Sequence, residues 1–258
     1  MKFYHCIFFC FFCGLVSAQE EIKKCFNKYD LDGCFVLYDV QNAGYVRYND
    51  IICSTEYLPA STFKIPHALI VLEEGHVKDT AELFPWNGRE WPNKNWNQDQ
   101  TLVTAMKYSC IWVFIDFAAK LGTPVYQKYA DAFDYGNKNL TGPVDRFWLA
   151  GEFAISANQQ VDFLKRFLSG NLPVSKENIN TVKDLIVLES AENYNLSGKT
   201  GGGRLPAEKY IMWLVGYVEN NTGTYIFAMN FVTDDFTRDQ AARMNITSDV
   251  LKEYDIIP

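Results

Sequence analysis

The sequence predicts an α+β protein: an antiparallel sheet built from both chain ends, flanked by helices, with an inserted, mainly helical lobe. Two runs of paired β-branched and aromatic segments, one near each terminus, and a middle dominated by helical periodicity point to it. Near the N-terminus, residues 34–40 and 45–48 flank Gln41-Asn42-Ala43-Gly44, a turn signal, and read as a β-hairpin. Near the C-terminus, residues 210–218 and 224–231 flank Asn220-Asn221-Thr222-Gly223. This second hairpin is almost continuously apolar, as strands covered on both faces are. Between the hairpins the apolar spacing predicts helices over 63–74, 102–121, 123–133, 156–168 with Ser156 as cap, and 175–188. A last helix over 241–254 completes the cover of the sheet.

The 258 residues are 48% hydrophobic and 16% aromatic, enough to build a sizeable core, and neither a linker nor an internal repeat divides them. A net charge of -7, with both signs interspersed, leaves no basic stripe for nucleic acid or anionic lipid. The first residues read as a targeting signal: Lys2, an apolar stretch over 6–16, and small residues at Val16-Ser17-Ala18. The expected division is therefore a signal peptide over 1–18 and a single folded unit over 19–258, exported to the periplasm. The apolar stretch is shorter than the roughly 20 residues a spanning helix needs, so no membrane association is expected after cleavage.

Of seven cysteines, Cys25, Cys34, Cys53 and Cys110 remain after cleavage. Cys25 and Cys34 flank a turn region over 27–33 and are able to pair, although a core of this size needs no staple. His67 and His76 have no partner at metal-ligand spacing, so no metal is expected and both are assigned to helix surfaces. No histidine offers itself as a general base.

The chemistry is concentrated in three short motifs. Ser61 and Lys64, in Ser61-Thr62-Phe63-Lys64, fall on one face of a helix that starts at Ser61, within hydrogen-bond reach of each other. The unpaired N–H groups of such a helix start lie where a tetrahedral oxyanion forms, with the Ser61 N–H as one donor. A lysine serves as base to a serine only when burial lowers its pKa, and Phe63 and Ile65 supply apolar neighbours. Pro66 removes a helical N–H and predicts an irregular helix start. Second, Tyr108-Ser109-Cys110-Ile111 places Ser109 inside an apolar helical stretch, where a hydroxyl bonds a carbonyl or relays a proton. Third, Lys199-Thr200-Gly201-Gly202-Gly203 precedes the strand region with a cation and a hydroxyl suited to a carboxylate. Its glycines let a substrate come close to the backbone. Each motif alone is short enough to recur by chance.

Together, in this order, the three resemble the active-site serine penicillin-recognising proteins, whose motif set includes S-x-x-K and K-T-G. Tyr135-Gly136-Asn137 and Phe147-Trp148-Leu149 stand where the class D β-lactamases carry their Y-G-N and tryptophan-leucine signatures, and Ile111 occupies a position where penicillin-binding proteins have asparagine. The chain is therefore similar to class D across nearly its whole length, and the serine β-lactamase/DD-peptidase-like fold is implied. The resemblance implies hydrolysis of a β-lactam through an acyl-Ser61 intermediate. Lys64, N-carboxylated by CO2, would be the base for both half-reactions, steadied by Trp148, with no other cofactor. It further implies that Ser109 and Lys199 relay protons, that Thr200 and Arg243 hold the substrate carboxylate, and that the N–H groups of Ser61 and Gly202 form the oxyanion hole. Arg238 is the alternative to Arg243.

Ile111 replaces the family's usual valine and should keep the apolar wall. Cys110 suggests an oxidisable active-site helix. Gly202, where a bulky residue often follows K-T-G, suggests an open, flexible rim. The other reading of the same fold is a β-lactam sensor module, acylated without turnover.

Overall fold

The computed structural model describes residues 19–258, so the expected signal peptide over 1–18 lies outside the described residues. Six strands form one antiparallel sheet: β1 (Gly33–Asp39), β2 (Gly44–Tyr48), β3 (Val187–Ser190), β4 (Tyr194–Arg204), β5 (Tyr210–Asn220) and β6 (Gly223–Thr233). Their order is β2-β1-β6-β5-β4-β3, so β1, from one chain end, pairs directly with β6 from the other (Cys34 opposite Asn230). The expected α+β architecture, with its sheet assembled from both termini, is the one observed.

Both expected hairpins form. Asp39 pairs with Gly44 in the first, and Asn220 with Gly223 in the second. The second closes on two residues, and the Asn220 side chain accepts from the backbone N–H of Thr222 and Gly223 at 2.9 Å each. Two strands were not foreseen. The chain over 187–190 turns from helix to edge strand, and Lys199-Thr200-Gly201 lies within β4 rather than ahead of the strands. Three consecutive glycines and polar neighbours hide that strand from any period-2 reading.

Residues 19–27 are helical (α1). The remaining helices are α2 (Asp50–Ser54), α3 (Lys64–Glu73), α4 (Leu102–Lys107), α5 (Ile111–Ala132), α6 (Phe147–Ala150), α7 (Ala157–Ser169), α8 (Lys176–Leu185), α9 (Phe236–Asp239) and α10 (Ala242–Glu253). The sheet separates two apolar cores. On one face, Ile22 and Phe26 of α1 and Ile246 and Val250 of α10 cover Phe35, Leu214 and Met229. On the other, the helical lobe packs α3, α5 and α7 over Cys34, Val36, Trp213 and Ala228. Burial of this kind supplies the main driving force, about 25 cal/mol per Å² of apolar surface.

The expected continuous helix over 102–121 is two helices, because the chain breaks at Tyr108–Cys110 before α5 begins. The expected boundary between helices over 102–121 and 123–133 does fall at Gly122, whose φ of 76° and ψ of 162° are not helical, so α5 is two helical segments that meet at a break there. Pro124, two residues on, stands in the first turn of the second segment, where a missing N–H costs no helical hydrogen bond. Ser156 caps α7 as expected, accepting from Gln159 N at 3.2 Å in a capping box.

Two expectations are overturned. Cys25 and Cys34 lie in opposite cores, with the sheet between them, so they cannot pair, and all four described cysteines are free. His67 is not on a helix surface: it is fully buried, shares a 2.5 Å hydrogen bond between Nε2 and Tyr126 Oη, and packs edge-on against Phe114 and Trp148. Aromatic rings offer a neutral imidazole contact surface without a charge to solvate.

Candidate active site

Ser61 belongs to a single 3-10 turn, Ala60–Phe63, that runs straight into α3. The turn is entered through Ala60 at φ 49°, and Thr62 locks it by donating its N–H and its hydroxyl to Pro59 O at 3.2 and 2.7 Å. Gln160 Nε2, from α7, donates to the Thr62 hydroxyl at 2.9 Å and ties the turn to the lobe. Pro66 is the third residue of α3, where a backbone N–H has no partner within that helix. The irregular start that Pro66 implied is this 3-10 turn.

Lys64 Nζ donates to Ser61 Oγ at 3.1 Å. Lys64 is fully buried, and its ammonium position lies 4.9 Å from the centroid of the Phe114 ring. Burial lowers its pKa from the ordinary 10.5 to about 7, a small opposing effect coming from the Cys110 thiol. An amine of that pKa is neutral in a large part of the population at pH 7 and has a lone pair to take a proton.

Ser109 stands at the break between α4 and α5, not inside a helix. Its φ is 53°, and the flanking bonds, Ser109 N to Met106 O at 3.2 Å and Cys110 N to Ala105 O at 2.8 Å, are those of a Schellman-type helix end. Glycine usually fills this left-handed position, and a serine there carries strain of about 1 kcal/mol or more. The hydroxyl is thereby turned into the cleft, where it accepts from Lys199 Nζ at 3.1 Å. Lys199 Nζ also donates to Thr200 O at 3.1 Å. Its pKa is pushed well below the usual value, by burial first and then by Lys64 and Arg243. Two buried lysines thus each hold one serine hydroxyl.

The β3 side of β4 makes its last backbone bond at Gly198, whose N–H donates to Ile186 O at 2.8 Å, and beyond it, among the described residues, β4 pairs with β5 alone. Lys199–Gly202 therefore present an open strand edge to a cleft of about 870 Å³, lined also by Ser61, Ser109, Ile111 and Arg243. Thr200 and Gly202 line it too. Arg243 donates from Nη1 to Gly201 O and from Nε to Gln240 O, both at 2.8 Å, and burial lowers its pKa to about 10. Arg238, the alternative, is committed elsewhere, with Nε and Nη2 on the Asp239 carboxylate at 2.7 Å each. Arg243 is the arginine of the cleft.

Trp148 is fully buried behind the cleft, stacked on Phe63 with ring centroids 5.9 Å apart. Its Nε1 is a buried donor without a partner. Tyr135-Gly136-Asn137 is a brace rather than part of the lining. Tyr135 packs edge-on against Phe63 at 5.6 Å, a Cβ on Gly136 would strike Ala154 O, and Asn137 Nδ2 donates to Glu152 O at 2.8 Å.

Two further expectations change. Cys110 is fully buried and burial raises its thiol to about 11, so it is a poorly reactive core thiol rather than an oxidisable one. Gly202 does not open the rim, because the Phe236 ring stands in the space its side chain would take: a Cβ there would lie 2.6 Å from Phe236 Cε2. Phe236 and Trp96, whose Nε1 donates to Tyr108 O at 2.9 Å, are lining residues that the sequence did not reveal. Both sit in short polar segments without periodicity. Among the described residues no cluster of potential metal ligands occurs, and no helix is long and apolar enough to cross a membrane.

Paired serine–lysine contacts beside an open strand edge define an acyl-transfer site, and the penicillin-binding-protein transpeptidase domain model matches residues 21–252 of this chain. The chain belongs to that family of active-site serine proteins. Within it, the chain is a member of the class D β-lactamases: it is 39% identical over 244 residues to β-lactamase OXA-5 of Pseudomonas aeruginosa, covering 94% of this chain and 91% of that one. The crystal structure of FUS-1 (OXA-85), a class D β-lactamase from Fusobacterium nucleatum subsp. polymorphum, superposes with a TM-score of 0.89 at 33% identity, covering 93% and 99% of the two chains. The C-terminal domain of the Bacillus licheniformis BlaR penicillin-receptor is similar too, with a TM-score of 0.87 at 32% identity over 92% and 96% of the two chains.

Proposed function

We propose that this protein hydrolyses the β-lactam amide of penicillin-type antibiotics through an acyl-Ser61 intermediate and so confers resistance to them. The observation that carries the reading is the 3.1 Å contact between Ser61 Oγ and a fully buried Lys64 whose pKa is about 7. Lys64, as its CO2-derived carbamate, would take the Ser61 proton as Oγ attacks the lactam carbonyl. Ser61 sits where the chain enters α3, so its N–H is free to meet the developing oxyanion, with Gly202 on the open edge of β4 as the second donor. Lys199 and Ser109, 3.1 Å apart, pass the proton to the departing ring nitrogen. Thr200 and Arg243 hold the substrate carboxylate.

The residues around Lys64 fit its carboxylation by CO2. Burial keeps a large part of the amine neutral near pH 7, the site is apolar, and Trp148 Nε1 is a buried donor without a partner among the described residues. Trp148 would hold the resulting carbamate, which supplies an anionic general base able to serve acylation and deacylation alike. Among the described residues no histidine or glutamate lines the cleft to take the second of these roles.

The similarity to the penicillin-receptor domain favours one second reading, a sensor that is acylated and stays so. Mixing purified protein with an excess of a chromogenic cephalosporin separates the two. Many equivalents of product per protein support the hydrolase, whereas one equivalent with a stable acyl adduct supports the sensor. Export through a signal over 1–18 belongs to the same reading, and N-terminal sequencing of the mature protein should begin at Gln19.

A further inference from the structure

The residue after Lys199-Thr200-Gly201 has no side chain, yet the site is not empty there. The Phe236 ring arrives from the segment that follows β6, with Cε2 and Cζ at 2.6 and 3.1 Å from the position a Gly202 Cβ would occupy. Arg243 Nη1 lies 3.6 Å from the same point. The ring is held in place from behind: Tyr210, on β5, packs edge-on against it with centroids 5.6 Å apart. Its segment is fixed by its own polar contacts, with Asp235 N donating to Thr233 Oγ1 at 3.0 Å, Arg238 N donating to Asp235 Oδ1 at 2.9 Å, and the Thr233 hydroxyl donating to Asp239. An aromatic wall has thus been supplied from a different part of the chain, beside the arginine that receives the carboxylate.

The chemistry of the substrate class says what such a wall meets. In the bicyclic β-lactams the carbon bearing the carboxylate is bonded to the carbon that carries the geminal methyls of a penicillin or the C3 substituent of a cephalosporin. A carboxylate seated at Arg243 therefore brings that substituent to Phe236. We propose that Phe236 is a specificity-determining residue of this site, contacting the ring substituent next to the substrate carboxylate and favouring apolar groups there. The proposal rests on the β-lactamase reading and on Arg243 as the carboxylate site.

The test uses two cephalosporins with the same acylamino side chain, one bearing an alkyl group at C3 and the other hydrogen, with wild-type, Phe236→Leu and Phe236→Ala proteins. Phe236→Ala should raise KM for the alkyl compound about tenfold, the scale of a lost apolar contact, leave kcat unchanged, and keep the hydrogen compound within about twofold of wild type. Phe236→Leu should retain most of the preference and guards against a variant that merely folds poorly. Equal shifts for both substrates, or no shift for either, overturn the proposal. A wild-type protein that neither hydrolyses nor is acylated by any β-lactam overturns the underlying reading and this proposal with it.

Discussion

Lys199 reaches Ser109 at 3.1 Å only because Ser109 has left the helical path. On a continuous helix over 102–121 the hydroxyl would follow the helix surface, whereas at φ 53° it is turned toward β4. Strain at Ser109 and function at Lys199 are therefore coupled.

That coupling separates two substitutions that both delete the hydroxyl. Ser109→Ala and Ser109→Gly should each lower kcat/KM by about 100-fold or more, the usual contribution of a positioned proton carrier. Their stabilities should differ, because glycine accepts the left-handed conformation and alanine does not. A gap of about 1 kcal/mol corresponds to roughly 2–4 °C in Tm, with Ser109→Gly the higher, measurable by calorimetry.

The sheet, both hairpins, the cap at Ser156 and the contact of Ser61 with Lys64 were legible in the sequence, because each rests on a local spacing. What was not legible depends on tertiary context. Strand β4 is hidden by its glycines, the break at Ser109 interrupts an apolar run that is periodic on both sides, and His67 is buried beside Tyr126, 59 positions away, with whose hydroxyl its Nε2 shares a hydrogen bond. Phe236 fills a space defined by the absence of a side chain at Gly202, a relationship no linear pattern encodes.

Lys64 fixes the pH dependence. With its pKa lowered to about 7 by burial, kcat/KM should rise with pH through about 7, because only the deprotonated amine has the lone pair that takes up CO2, and fall below it. The stability consequence has a definite sign. Between about 7 and 10.5 the unfolded chain binds a proton that the folded chain does not, so the penalty for burying Lys64 shrinks as pH rises. Lys64→Met, apolar and similar in length, should therefore raise Tm relative to wild type more at pH 6 than at pH 9.

Arg243 and Arg238 offer a paired test of the carboxylate site. Arg243→Ala should raise KM for penicillins by about ten- to 100-fold, the worth of a charge-assisted pair of roughly 1.5–3 kcal/mol. Arg238→Ala, which frees Asp239 but touches no substrate position, should leave KM within about twofold of wild type. Steady-state kinetics of the two variants decides between them.

Trp148 probes the carboxylation of Lys64. Trp148→Phe keeps an aromatic ring beside Phe63 but removes the unpartnered Nε1 donor. The variant should lose acylation and turnover together and recover part of both when bicarbonate is added. Rates insensitive to bicarbonate in both proteins would argue for an unmodified amine.

Acylation of Ser61 with Lys64 as its base is read out by acid-quenched peptide mapping with mass spectrometry. Wild-type protein mixed with a penicillin should carry the penicilloyl group on the peptide containing Ser61, while Ser61→Ala and Lys64→Ala should carry none and turn over no substrate. An adduct on another residue, or hydrolysis that persists in Ser61→Ala, means that Ser61 is not the nucleophile.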